Sequence, residues 1–175
     1  MRSHRPRLIL LQSVLSVTSL GAGAGNTKQA CALITKAEVE SALGEAATDP
    51  QSQIISNGDA TPAAVSTCSF RAAHPASGTP AKSISLMARY ASSPNKNVAN
   101  EVRGTLSQMG TVKDVQGIGD TALWVFRVTG PVVSGQLNVF QQGSVYLIVT
   151  VGGIPDETAA LNKSKTLALA ALHRL

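Results

Sequence analysis

ALWVFRV (122–128) and SVYLIVTV (144–151) are the two stretches that decide the fold. Successive side chains of a strand point to opposite faces, so a strand wetted on one side alternates apolar and polar residues. These two do not alternate. Leu123, Trp124, Val125, Phe126 and Val128 in the first, and Val145, Tyr146, Leu147, Ile148 and Val149 in the second, are apolar on both sides. Both strands therefore belong inside a sheet covered on both faces, and the rest of the chain has to provide the cover.

Three amphipathic segments can provide it. Thr35 followed by Glu38 is a reciprocal capping box, with Leu33 or Ile34 placed to staple onto Val39 and Gly44 as the stop, and Cys31 sits just ahead of this helix. A second helix is expected from Ser93, with Pro94 in its first position, Val98, Val102, Leu106 and Met109 at helical spacing, and Gly110 ending it. A third starts from Asp156 as N-cap and carries Ala160, Leu161, Ser164, Leu167, Ala168, Ala171, Leu172 and Leu175 as its stripe. His173 and Arg174 fall in its last turn, where positive charge suits the macrodipole. Further strand signals lie at 53–55, 65–71, 83–90, 112–115 and 136–141. Gln142 and Gly143 make a short hairpin signal before the last strand. Turn chemistry fills much of 45–63, and His74 to Pro80 reads as a loop at the tip of a hairpin. The order helix, strands, helix, strands, helix predicts an α+β fold, a mainly antiparallel sheet covered by three amphipathic helices.

Outside this scaffold, the first residues carry the strongest signal. Arg2, Arg5 and Arg7 precede the apolar run 8–11, which continues through Val14, Leu15, Val17 and Leu20 to the small residues Ala22, Gly23 and Ala24. That is the order of a secretory signal: basic, apolar, then a small-x-small cleavage site. The run is too short and too interrupted for a span of roughly 20 apolar residues. The expected organisation is a signal peptide at 1–24 and a single α+β domain at 25–175, in the periplasm or outside the cell, with no transmembrane span after cleavage. Lys28, Gln29 and Ala30 before Cys31 do not form a lipobox.

Cleavage would also change the charge. Of the formal +5, three charges belong to Arg2, Arg5 and Arg7, and without them 12 Lys+Arg face 10 Asp+Glu. A near-balanced domain lacks the dense basic stripe of a nucleic-acid binder, so no nucleic-acid partner is expected. In an oxidising compartment the two cysteines, Cys31 and Cys68, are expected to pair, two buried thiols being the alternative. The bridge would close a loop of about 37 residues and stabilise the domain by roughly 3–4 kcal/mol.

Catalytic chemistry finds little material. Gly117, Ile118, Gly119 and Asp120 lack the further residues of a dinucleotide or phosphate loop and read as a turn between strands. Of three histidines, His4 lies in the signal, and His74 and His173 have no nucleophile elbow near them. No carboxylate couple and no ligand cluster stands out, so no catalytic residue, no cofactor and no metal are expected. Trp124 reads as core, or else as a ligand platform. Arg71, Arg89 and Arg127 lie on or beside strands, either gathered into an anion-binding patch or scattered in solvent.

CALITKAEVE (31–40), CSFR (68–71), VQGIGDTALW (115–124), the late hairpin and the amphipathic C-terminal helix together resemble a broad group of small exported bacterial proteins of unknown function. Many of that group are lipoproteins, and their fold is similar to PsbP-like αβ sandwiches. The likeness covers most of residues 25–175 and departs from the lipoprotein members by lacking a lipobox. It implies a PsbP-like sandwich and an exported location, and carries over no catalytic residue. The functional expectation is a non-catalytic binding or accessory module for an envelope protein, peptide or cell-wall component. The alternative is an inhibitor or protector acting through a protruding loop, at Ala73 to Lys82 or Thr129 to Gly135; a hydrolase is the third class.

Overall fold

The structure is a computed structural model and describes residues 27–58, 63–75 and 77–175. The signal peptide expected at 1–24 lies outside the described residues. The elements are α1 (Ala30–Leu33), α2 (Lys36–Leu43), β1 (Gln51–Asn57), β2 (Ala63–Arg71), β3 (Ser83–Ala91), α3 (Val98–Leu106), β4 (Val112–Asp114), β5 (Thr121–Thr129), β6 (Val132–Gln141), β7 (Val145–Ile154) and α4 (Glu157–Leu172). The strands form one antiparallel sheet in the order β1-β2-β3-β7-β6-β5-β4. The α+β class and the antiparallel sheet agree with the sequence reading, though among the described residues four helices cover the sheet rather than three.

Two faces of the sheet are covered unequally. The larger core, including Phe70, Leu86, Trp124, Leu137, Leu147, Val149 and Leu167, lies between one face and α1, α2 and α4. A smaller core on the other face packs Leu106, Val98 and Val102 of α3 against Leu123, Val125, Phe140 and Tyr146. The central strands are thus apolar on both sides for the reason inferred, with one departure: Val128, beside the β5–β6 turn, is 61% exposed.

The first and last long helices begin where their caps predict. Glu38 N–H donates to Thr35 Oγ1, and the Glu38 carboxylate accepts from Thr35 N–H in return. Asp156 accepts from Ala159 N–H at 2.8 Å. Lys82 and Lys163 reach the last carbonyls of α2, at Leu43 and Ala42. Arg174 ties the two helices together, donating to both oxygens of Glu38 (2.7 and 3.0 Å) and to the Leu33 carbonyl.

That hydrogen bond from Arg174 is the main reason the Glu38 carboxyl is held below its usual range, with Thr35 adding to it. A carboxyl lowered in the folded state contributes stability above its unfolded value and loses it as pH falls through the folded one. Glu38→Gln should therefore be less stable than the parent in urea melts at neutral pH. The difference should begin to shrink as pH falls below about 4 and vanish once it is below the lowered folded value. A gap that persists in acid would assign the loss to packing instead.

Three readings of the second and third helices need correction. The expected helix from Ser93 starts only at Val98, because Asn95 is bound elsewhere: its N–H donates to the Gly143 carbonyl and its Oδ1 accepts from Asn97 N–H. It ends at Leu106, so Met109 is not part of its stripe and is 49% exposed. Leu175 lies beyond α4 and is likewise largely exposed.

Two turns decide the loop question. Gln142 and Gly143 both have positive φ (53° and 65°), the primed turn whose twist suits a hairpin. Thr129 to Gly135 is not a protruding loop: β5 and β6 pair from Thr129↔Val132 onward, leaving a turn at Gly130 and Pro131. Gly119 (φ 57°) approaches so closely that a Cβ would stand 2.7 Å from the Phe140 carbonyl, and Asp120 accepts from Gln142 N–H at 2.6 Å. The segment 117–120 is a turn locked onto the β6–β7 hairpin.

Candidate functional site

A site must come from the surface the helices leave open. On the α3 face, α3 covers the end of the sheet around Leu123, Phe140 and Tyr146 and stops short of the other end. The register there lines up one row across five strands: Gln51, Ser69, Ser85, Thr150 and Gln136. Every member is a hydroxyl or an amide. Each both donates and accepts hydrogen bonds.

The neighbouring row carries Arg71, Ser83, Gly152 and, past a bulge in β6, Ser134 and Arg127. Arg71 and Arg127 are exposed and stand about 19 Å apart across four strand spacings. Gly152 keeps the floor between them low, since a Cβ there would meet Ser83 Oγ at 2.9 Å. Two concavities share Thr150: one of about 370 Å³ lined by Ser69, Arg71, Ser83 and Ser85, and a more apolar one of about 220 Å³ lined by Met109, Val125, Phe126, Arg127, Ser134 and Gln136. No acidic residue lines either. Among the described residues, neither Arg71 nor Arg127 has an ion-pair partner; the carboxylates Asp49, Glu45, Asp114, Glu157 and Glu38 are engaged by other cations.

A rigid layer lies beside this surface. Asn138 is fully buried and accepts from Tyr146 Oη (2.6 Å) and Gln136 Nε2 (2.8 Å). Burial pushes the Tyr146 hydroxyl up to about 12, against the opposing charge of Arg89, so it remains a donor at ordinary pH. Gln136 is therefore held in place from the side by Asn138.

The residues singled out from the sequence fall in different places. Trp124 lies on the opposite face, fully buried, with Nε1 donating to Glu157 Oε1 at 3.1 Å. Arg71 and Arg127 share a row, but Arg89 does not join them. It stands at the other end of the same face, opposite Tyr146, in a separate concavity with Glu101 and Asn95. Cys31 and Cys68 are joined as a disulfide, with Cα atoms 4.9 Å apart. His74 and His173 are both exposed, and neither imidazole takes part in a hydrogen bond among the described residues. Among the described residues no group of three His, Cys, Asp or Glu comes together as a metal site, and no helix is long and apolar enough to cross a membrane.

No family profile matches the chain, and no curated protein matches it. Two solved structures are weakly similar. One is the extracellular domain of PknH from Mycobacterium tuberculosis, 11% identical over 81% of this chain and 93% of that one, with a TM-score of 0.40. The other is LpqN, involved in cell envelope biogenesis of Mycobacterium tuberculosis, 14% identical over 70% and 90% of the two chains, with a TM-score of 0.36. Likeness of this degree assigns neither a fold family nor a function, and it gives no support specific to a PsbP-like sandwich.

Proposed function

We propose that this protein is a non-catalytic binding module of the cell envelope, exported by residues 1–24, and that it recognises its ligand with the open part of the α3 face. The observation that carries this reading is the row Gln51, Ser69, Ser85, Thr150 and Gln136, an uncovered set of hydrogen-bonding side chains on a rigid sheet. The disulfide is in keeping with an oxidising compartment. Trp124 and Arg89 have no part in the proposed surface; Arg71 and Arg127 border it.

The test is an amide-shift titration of the ¹⁵N-labelled mature protein with soluble envelope extract of its own host. Shifts should concentrate at Ser69, Ser85, Thr150 and Gln136. Shifts confined to other surfaces, such as the 73–82 loop, would overturn the assignment of this face and favour an inhibitor acting through that loop.

A further inference from the structure

We infer that the ligand of this face is an acid-bearing polysaccharide chain, laid across the strands with carboxylates at Arg71 and Arg127. This rests on the reading of the face as the recognition surface and names the chemistry it fits.

Charge points to an anion. Arg71 and Arg127 are exposed, lack ion-pair partners among the described residues, and border concavities without a carboxylate. Their separation of about 19 Å is too long for a single acid group to engage both, so the ligand is extended.

The row between selects the kind of chain. Its five members are neutral and each can donate and accept, which matches a ligand whose hydroxyls do the same. Successive members are one strand spacing apart, about 4.8 Å. That is close to the length of one pyranose unit in an extended chain, so the row offers one side chain per sugar. A peptide fits less well. Its repeat is about 3.3 Å, which does not match the spacing of the row, and the amides of the inner strands are already used in the ladder. No aromatic side chain belongs to the row, so binding depends on hydrogen bonds and charge and should weaken as salt rises.

Calorimetry at low and high salt would use the mature protein with an oligomer of galacturonic acid, its methyl-esterified form, and poly-glutamate. The acidic oligomer should bind, more weakly at high salt, and the ester should bind much more weakly. Arg71→Gln and Arg127→Gln, both at exposed positions, should each weaken binding about two- to fivefold, and the double variant by about the product. Equal binding of the ester would overturn the role of charge. Binding of poly-glutamate as tight as the oligomer's, and equally sensitive to the two variants, would overturn the ligand class while leaving the face as the recognition surface. Failure of the oligomer to bind overturns the inference alone if envelope extract still shifts Ser69, Ser85, Thr150 and Gln136. If the extract leaves those amides unmoved as well, the proposed function fails with it.

Discussion

Gly135→Ala is expected to destabilise the protein by about 3 kcal/mol, although it adds a single methyl group. A Cβ at that position would lie 2.0 Å from Trp124 Cη2 and 2.3 Å from Cζ2. The indole has nowhere to go: it is fully buried, and its Nε1 is bound to Glu157, which also holds Lys113 at 2.7 Å. Either the ring must leave its place or β6 must move away from the helices, and both open the larger core. Urea melts of Gly135→Ala, Trp124→Leu and the double variant separate this from a general intolerance of side chains at 135. With the ring trimmed, the added methyl should cost little beyond what Trp124→Leu already costs, a large departure from additivity. Additive losses would show that the glycine is needed for its backbone and not for the space it leaves.

The second large effect belongs to the disulfide. Replacing both Cys31 and Cys68 with alanine should lower the unfolding free energy by about 3–4 kcal/mol, from the chain entropy regained over a separation of 37 residues. Cys68 is fully buried in β2 and Cys31 lies in α1, a helix of four residues that has no capping side chain. Apart from the bridge, α1 is held to the sheet chiefly by the apolar contacts of Ala30 and Leu33 and by Ala30 N–H donating to Ser66 Oγ at 2.9 Å. Thermal melts with and without reductant read the effect directly: reductant should lower the parent's melting temperature and leave the double-alanine variant unchanged. Equal melting of oxidised parent and variant would show that packing alone holds α1.

These two sites also show what was legible in the sequence. The caps were, because a capping box is local: Thr35 with Glu38 and Asp156 with its first turn needed no distant partner. The buried strands were, because Leu123 to Val125 and Tyr146 to Ile148 are apolar on both faces. The start of α3 was not, since Pro94 is a good first residue and only the hydrogen bond from Asn95 to Gly143, far along the chain, turns the segment aside. Nor was α1, too short to carry a periodic signal. The candidate row was hidden for a different reason. Ser69, Ser85, Thr150 and Gln136 each look like an ordinary outward residue of a single strand, and only the register places them in line. Arg71, Arg89 and Arg127 were visible as strand arginines. That two of them share a row and the third does not depends on β3 lying beside β7, a long-range pairing that no local pattern encodes.

That seam has a kinetic meaning. β1, β2 and β3 follow one another in the sheet as they do in the chain, and so do β4 to β7, so each group can zip up from its own turns. The two groups meet only where β3 pairs with β7, between residues such as Ser85 and Thr150, and closing that distance costs entropy before any contact repays it. The meeting of the two meanders should therefore be the slow event of folding. In stopped-flow experiments, weakening the seam at Leu86 or Val149 should slow refolding, whereas weakening β1 or β4 should mainly speed unfolding. The same joint brings Ser85 beside Thr150, so the proposed surface comes into existence only at the end of assembly, and a half-folded chain would have nothing with which to bind.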